Sequence, residues 1–124
     1  MNFPADVKYT KDHVWVKVDG DTAKIGITDY AQDQLGDILF VDLPEEGDSL
    51  EKGENFTEVE SSKTASEVPA PISGEVVAVN ELLDDEPEAI NEDAFEAWIV
   101  EVKIEDATEL DDLMDAAAYE AICE

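Results

Sequence analysis

A chain of 124 residues has room for one domain with a sizeable core and is too short for two of ordinary size. Hydrophobic residues supply 44% and charged residues 33%, the balance of a well-solvated globular protein, and the 34 acidic residues face seven lysines and no arginine. The resulting net charge of -27 excludes a surface built to neutralise nucleic-acid phosphates. The acids run along the whole sequence, from Glu45-Glu46 through Asp84-Asp85-Glu86 to Asp111-Asp112. That spread is expected of a protein from a salt-adapted prokaryote, where charges are screened over roughly 3 Å at 1 M; an acidic patch for a basic partner would be more local.

Cys123 is the sole cysteine, so neither an internal disulfide nor a CxxC pair is available and redox chemistry would need a borrowed group. No apolar run reaches membrane-spanning length, and the stretch into Val7-Lys8-Tyr9 lacks a leader-like apolar segment. A cytoplasmic protein without a membrane or nucleic-acid partner is the expectation.

In chain order, His13–Val18 and Thr22–Ile27 alternate in polarity around Asp19-Gly20-Asp21, which predicts an N-terminal hairpin over 7–27. Thr28 or Asp29 is placed to cap a short helix that Gly36 ends. Strand-like runs follow at 37–43, 55–60, 66–68, 75–80 and 97–104, within a core of 36–104, and their close spacing predicts a small barrel or sandwich. The run 81–94 contains Pro87 and reads as a loop with at most a helical turn. From Thr108 the period becomes helical, with Leu110, Leu113, Met114, Ala117 and Ala121 on one stripe and Thr108 and Asp111 resembling a capping pair, so a C-terminal core-facing helix is expected over 108–122.

One internal repeat stands out: Gly36-Asp-Ile-Leu-Phe-Val-Asp42 aligns with Gly74-Glu-Val-Val-Ala-Val-Asn80. Continuing at the same offset pairs Glu54-Asn55 with Glu92-Asp93 and Glu58 with Glu96. Two copies are too few for a solenoid and predict two similar sheets facing each other about a pseudo-twofold axis. The joining segment then becomes an exposed hairpin, with Lys63 at its tip among small and polar residues. A lysine there holds its amine in water, open to acylation, although by itself it reads equally as an ordinary solvated turn residue.

The residues around it narrow this. Glu58-Val-Glu-Ser-Ser-Lys-Thr-Ala-Ser-Glu-Val68 and Ala70-Pro-Ile-Ser-Gly-Glu-Val-Val77 resemble a lipoyl-attachment signature, that of the H-protein family of the glycine cleavage system. The likeness runs in order through Lys8-Tyr9, His13, Trp15, Ile25-Gly-Ile-Thr-Asp29, Ala31-Gln32, Leu35-Gly36-Asp37, Leu43-Pro44, Gly47 and the ending Leu110 to Tyr119.

The resemblance implies a mostly β, lipoyl-domain-like barrel-sandwich hybrid of two facing antiparallel sheets, forming one domain over 1–124. It implies lipoate joined as an amide to Lys63, with Glu60, Ser62, Thr64, Glu67 and Gly74 as the surrounding recognition motif. A non-catalytic shuttle follows, loaded by a lipoate ligase or lipoyl transferase. A pyridoxal-phosphate-dependent glycine decarboxylase passes the aminomethyl group to the arm, an aminomethyltransferase removes it, and a dihydrolipoyl dehydrogenase restores the disulfide. Two positions depart from the family pattern: Val14 stands where members commonly carry an acid, and Gln34 where a second histidine is often seen. If those side chains line a groove for the loaded arm, the groove here is less polar than usual.

A biotin carrier also modifies a hairpin lysine but usually flanks it with methionines, where this chain has Ser62 and Thr64. A lipoyl relay to 2-oxoacid dehydrogenases uses the same residues as glycine cleavage. Hydrolytic and calcium chemistry are disfavoured, since His13 is the sole histidine, reads as structural beside Trp15, and no calcium-loop spacing is present.

Overall fold

The computed structural model describes residues 4–123; the extremities of the expected 1–124 domain, residues 1–3 and 124, lie outside the described residues. Alternation decides the first elements. In β2 (Val14–Asp19) Val14 and Val16 are buried, and in β3 (Thr22–Ile27) Ala23, Ile25 and Ile27 are. The two strands pair antiparallel across the Asp19–Thr22 turn, with β1 (Lys8–Tyr9) on the outer edge.

Two sheets enclose one core. The larger has six strands in the order β1-β2-β3-β9-β8-β5, where β5 is Ser49–Leu50, β8 Gly74–Val79 and β9 Val100–Ile104. The smaller runs β4-β6-β7, where β4 is Ile38–Asp42, β6 Asn55–Ser61 and β7 Ala65–Pro69. Ile38, Val41, Val59 and Val68 from the small sheet share a single apolar cluster with Val14, Ile25, Val76 and Val102 from the large one. Each fully buried side chain of this kind contributes about 1.5–3 kcal/mol. The fold is the mostly β pair of antiparallel sheets that the sequence predicts.

The repeat is realised as one strand in each sheet, and the correspondence includes an irregularity. β4 has a register shift between Ile38 and Phe40, and β8 has one between Val76 and Ala78, so Leu39 and Val77 are the matching extra residues, both exposed. The longer extrapolation of the repeat fails. Val41 pairs with Val59 while Val79 pairs with Val100, which makes the second copy three residues longer, and Glu92 lies in a helical turn instead of matching Glu54 before a strand. The extra length belongs to the segment holding the single turns α2 (Leu82–Asp85) and α3 (Ala89–Glu92), which bury Leu83 and Ile90.

The C-terminal region corrects the expected continuous helix over 108–122. A 3-10 helix spans Ala107–Asp112, the chain then extends, and α4 occupies Ala116–Ile122. Met114 causes the break by bridging to Tyr9 through Met114 N–H to Tyr9 O at 2.7 Å and Tyr9 N–H to Met114 O at 2.8 Å. The caps also differ from Thr108 with Asp111: Asp106 accepts from the Thr108 N–H and hydroxyl, and Asp115 accepts from the Ala118 N–H. Ala117 and Ala121 are exposed, and α4 instead buries Tyr119 in a second cluster with Val7, Tyr9 and Trp15. Among the described residues no helix is long and apolar enough to cross a membrane.

Candidate functional site

The hairpin of β6 and β7 carries Lys63 at its turn, and the turn is built by a residue outside the expected motif. Ser61 N–H donates to Thr64 O at 2.8 Å, while the Ser61 hydroxyl accepts from the Lys63 and Thr64 N–H groups at 3.2 and 3.1 Å and donates to Thr64 O. A serine hydroxyl satisfying several backbone groups in this way locks a short turn. Ser62 N–H then donates to Asp37 O at 3.0 Å, fastening the tip to the junction between α1 (Asp29–Leu35) and β4.

Lys63 itself is exposed, but its stem is not adrift. The position that a Cβ on Gly36 would take is 3.3 Å from Lys63 Cε and 3.7 Å from Cδ, so the methylenes lie against the bare backbone of Gly36. Gly36 ends α1 with its N–H on Gln32 O and a φ of 81°, a conformation that L side chains rarely adopt.

Asn91 holds this support in place. Its side-chain amide donates to Gly36 O at 2.8 Å and to Gln32 Oε1 at 2.9 Å, and its Oδ1 accepts from Ile38 N–H at 2.8 Å. One side chain from α3 thus ties the end of α1 to the start of β4. Nothing in the local sequence around Asn91 announces this, because its partners are more than fifty residues away.

Beside the hairpin lies a groove of about 140 Å³ lined by Asp12, His13, Ile27, Ala31, Gln34, Leu35, Ser66, Glu67 and Val68. Its apolar part is Ile27, Ala31, Leu35 and Val68; polar groups come from the β1–β2 loop, α1 and β7. His13 has a φ of 66° and lies against Tyr30, with ring centroids 4.7 Å apart. Its Nδ1 is 2.7 Å from the Tyr119 hydroxyl, and the structural role expected beside Trp15 is exercised against Tyr119 and Tyr30 instead. Burial holds the His13 pKa below 6.5, opposed by the charge of Asp12.

Of the expected recognition residues, Ser62 and Thr64 flank Lys63 in the turn and Glu60 is exposed at the end of β6. Glu67 borders the groove from β7, but its carboxylate accepts from Asn55 Nδ2 at 2.6 Å beside a separate depression. Gly74 is not part of this constellation. It sits in the other sheet, paired with Leu50 and Ile104, where an added Cβ would stand 2.5 Å from Lys103 O. Its motif position reflects close strand packing.

A larger depression of about 740 Å³ is rimmed by Asp42, Glu45, Glu46, Glu81, Asp84 and Asp85 and holds no residue of the Lys63 turn. Among the described residues no group of three or more His, Cys, Asp or Glu side chains is arranged to hold a metal ion.

Residues 7–124 match the sequence family described as glycine cleavage H-protein. The chain is 58% identical to the glycine cleavage system H protein of Clostridioides difficile over 98% of both chains. It is 56% identical to that of Staphylococcus carnosus, covering 96% of this chain and 95% of the relative. The crystal structure of a glycine cleavage system H protein from Mycobacterium marinum superposes with a TM-score of 0.88 at 39% identity, covering 96% of this chain and 97% of the other. The chain therefore belongs to the glycine cleavage H-protein family.

Proposed function

We propose that this protein is the lipoyl-bearing shuttle of a glycine cleavage system, with lipoate joined through an amide to Lys63. The observation that carries this reading is the Lys63 turn: a primary amine in water, on a stem seated against Gly36, at the tip of a hairpin fastened through Ser61 and Ser62. The residues present fit the group. The amine is accessible to an acylating enzyme, and the neighbouring groove offers apolar walls with a polar rim to a short sulfur-containing chain.

Lipoate would supply a disulfide that opens to two thiols, the redox function that the single cysteine, Cys123, lacks a partner to provide. The chain's own contribution is position. Gly36, Asn91 and Ser61 would hold the root of the arm, and the groove would shelter its far end between encounters. Asp12 lies in the groove lining, where its carboxylate favours a cationic amine. Val14 is wholly buried in the core and does not line the groove.

In this role the protein is a carrier and is itself a substrate of a pyridoxal-phosphate-dependent glycine decarboxylase, an aminomethyltransferase and a dihydrolipoyl dehydrogenase. A lipoate ligase or lipoyl transferase loads it in the cytoplasm. Tethering raises the arm's effective concentration at each docked active site. Relay of the lipoyl group to 2-oxoacid dehydrogenases uses the same turn and is the second reading; biotin is disfavoured by Ser62 and Thr64 beside the lysine.

The test is the intact mass of protein from its native host, with fragmentation of the peptide spanning Glu60 to Glu67. A lipoyl-sized increment on Lys63, absent from a folded Lys63→Arg variant, is expected. A bare Lys63 in cells growing on glycine would overturn the reading.

A further inference from the structure

The Tyr119 hydroxyl sits where three elements meet. It is 2.7 Å from His13 Nδ1 and 2.6 Å from Thr28 Oγ1, and Cys123 is also hydrogen-bonded to it. Its ring is stacked on Tyr9, with centroids 4.5 Å apart and planes within 2° of parallel. Thr28 is the N-cap of α1, its Oγ1 accepting from Ala31 N–H at 3.1 Å, and Thr28 N–H donates to His13 O at 3.0 Å. One buried phenol on α4 therefore touches both a residue lining the groove and the cap of the helix that supplies Gln34, Leu35 and Gly36.

The direction of this chain of hydrogen bonds follows from burial. Thr28 is 1% exposed, and its hydroxyl already accepts from Ala31, so its own proton needs an acceptor, which the Tyr119 oxygen provides. With that oxygen accepting, the phenolic proton has His13 Nδ1 and the Cys123 sulfur as its partners, so the one hydroxyl joins the β1–β2 loop, α1 and α4.

We propose that Tyr119 is a positioning residue of the arm groove: its hydroxyl holds His13 and α1 in the arrangement that forms the groove. This rests on the reading of the groove as the shelter of the arm. Through it the C-terminal helix, which contributes no residue to the groove lining, shapes the site. The groups that bear on His13 are Asp12 beside it, Tyr30 on α1, Glu67 across the groove on β7, and Tyr119 with Cys123 on α4.

The test is Tyr119→Phe, which keeps the ring stack and removes the hydroxyl. Side-chain nitrogen NMR follows the titration of the single histidine in the unmodified full chain. Loss of its hydrogen bond with Tyr119 should shift the His13 midpoint by roughly half to one pH unit in the variant. In lipoylated protein loaded with the one-carbon amine, loss of that amine to water should accelerate at least threefold. Combining Tyr119→Phe with His13→Gln should add less than the two single effects. A folded Tyr119→Phe chain with unchanged His13 midpoint and unchanged retention overturns the proposal. Wild-type signals of Gln34 and Glu67 that ignore the state of the arm would overturn the groove reading instead, a result the His13 titration does not share.

Discussion

Gly36 is the seat of Lys63. A Cβ at Gly36 would press on the lysine stem at 3.3 Å, and the φ of 81° and ψ of -150° are strained for any other residue. Gly36→Ala should cost about 1–3 kcal/mol in urea unfolding. Acylation of Lys63 by a lipoate ligase should slow several-fold in the folded variant. An unaltered acylation rate would show that the seat does not present the lysine.

Gly74 gives the contrasting case. Its absent side chain leaves room for the Lys103 carbonyl, which an added Cβ would approach to 2.5 Å. Gly74→Ala should destabilise by about 1–3 kcal/mol or more through overpacking. The folded fraction should still be lipoylated at the wild-type rate, since the residue lies in the sheet that does not carry the hairpin. Slowed lipoylation at a temperature well below the transition would restore Gly74 to the recognition motif.

Asn91 makes three hydrogen bonds that no neighbouring residue replaces. Asn91→Leu leaves Ile38 N–H and Gly36 O without these partners, and a loss of about 2–3 kcal/mol is expected from chemical denaturation. Amide exchange should quicken first at Gly36 and Ile38. Uniform exchange across the chain would mean that Asn91 supports the fold as a whole rather than this junction.

Two groups take stability from the fold as they gain protons. His13 has its folded pKa held below the usual 6.5 by burial, so the folded state resists a proton that the unfolded chain accepts. Its contribution is complete above pH 6.5 and is lost as pH falls through the depressed folded value. Asp106 is lowered from 3.8 by its hydrogen bonds with the Thr108 hydroxyl and N–H, so its contribution is present above that value and disappears below it. Acidification also relieves the mutual repulsion of the surface carboxylates, so the His13 contribution is read as a difference: the melting temperature of wild type minus that of His13→Gln should fall as pH drops below 6.5.

The acidic excess makes a prediction of its own. Among the described residues only two ion pairs form, Lys17 with Asp6 at 3.6 Å and Lys52 with Asp112 at 2.5 Å, both on the surface. The remaining carboxylates repel one another until salt screens them over roughly 8 Å at 0.15 M and 3 Å at 1 M. The melting temperature should rise steeply from dilute buffer to molar potassium chloride. An indifferent melting temperature would assign the charge to partner docking.

Much of this protein is written locally. The alternation of β2 and β3, the Thr28 cap and Gly36 stop of α1, and the hairpin tip at Lys63 depend on side chains a few residues apart, so periodicity and turn chemistry reveal them. The repeat of Gly36–Asp42 in Gly74–Asn80 is equally visible, and it places one copy in each sheet down to a shared bulge. What tertiary structure decided is everything that needs two distant segments at once. Met114 splits the C-terminal helix because Tyr9 offers a better backbone partner than a further helical turn, and a helical stripe in the sequence cannot register that competition. Asn91 beneath the α1–β4 junction, Tyr119 between His13 and Thr28, and Lys63 resting on Gly36 join residues separated by tens of positions. Their sequence neighbours carry no trace of those contacts, which exist only because burying one common core brings the segments together.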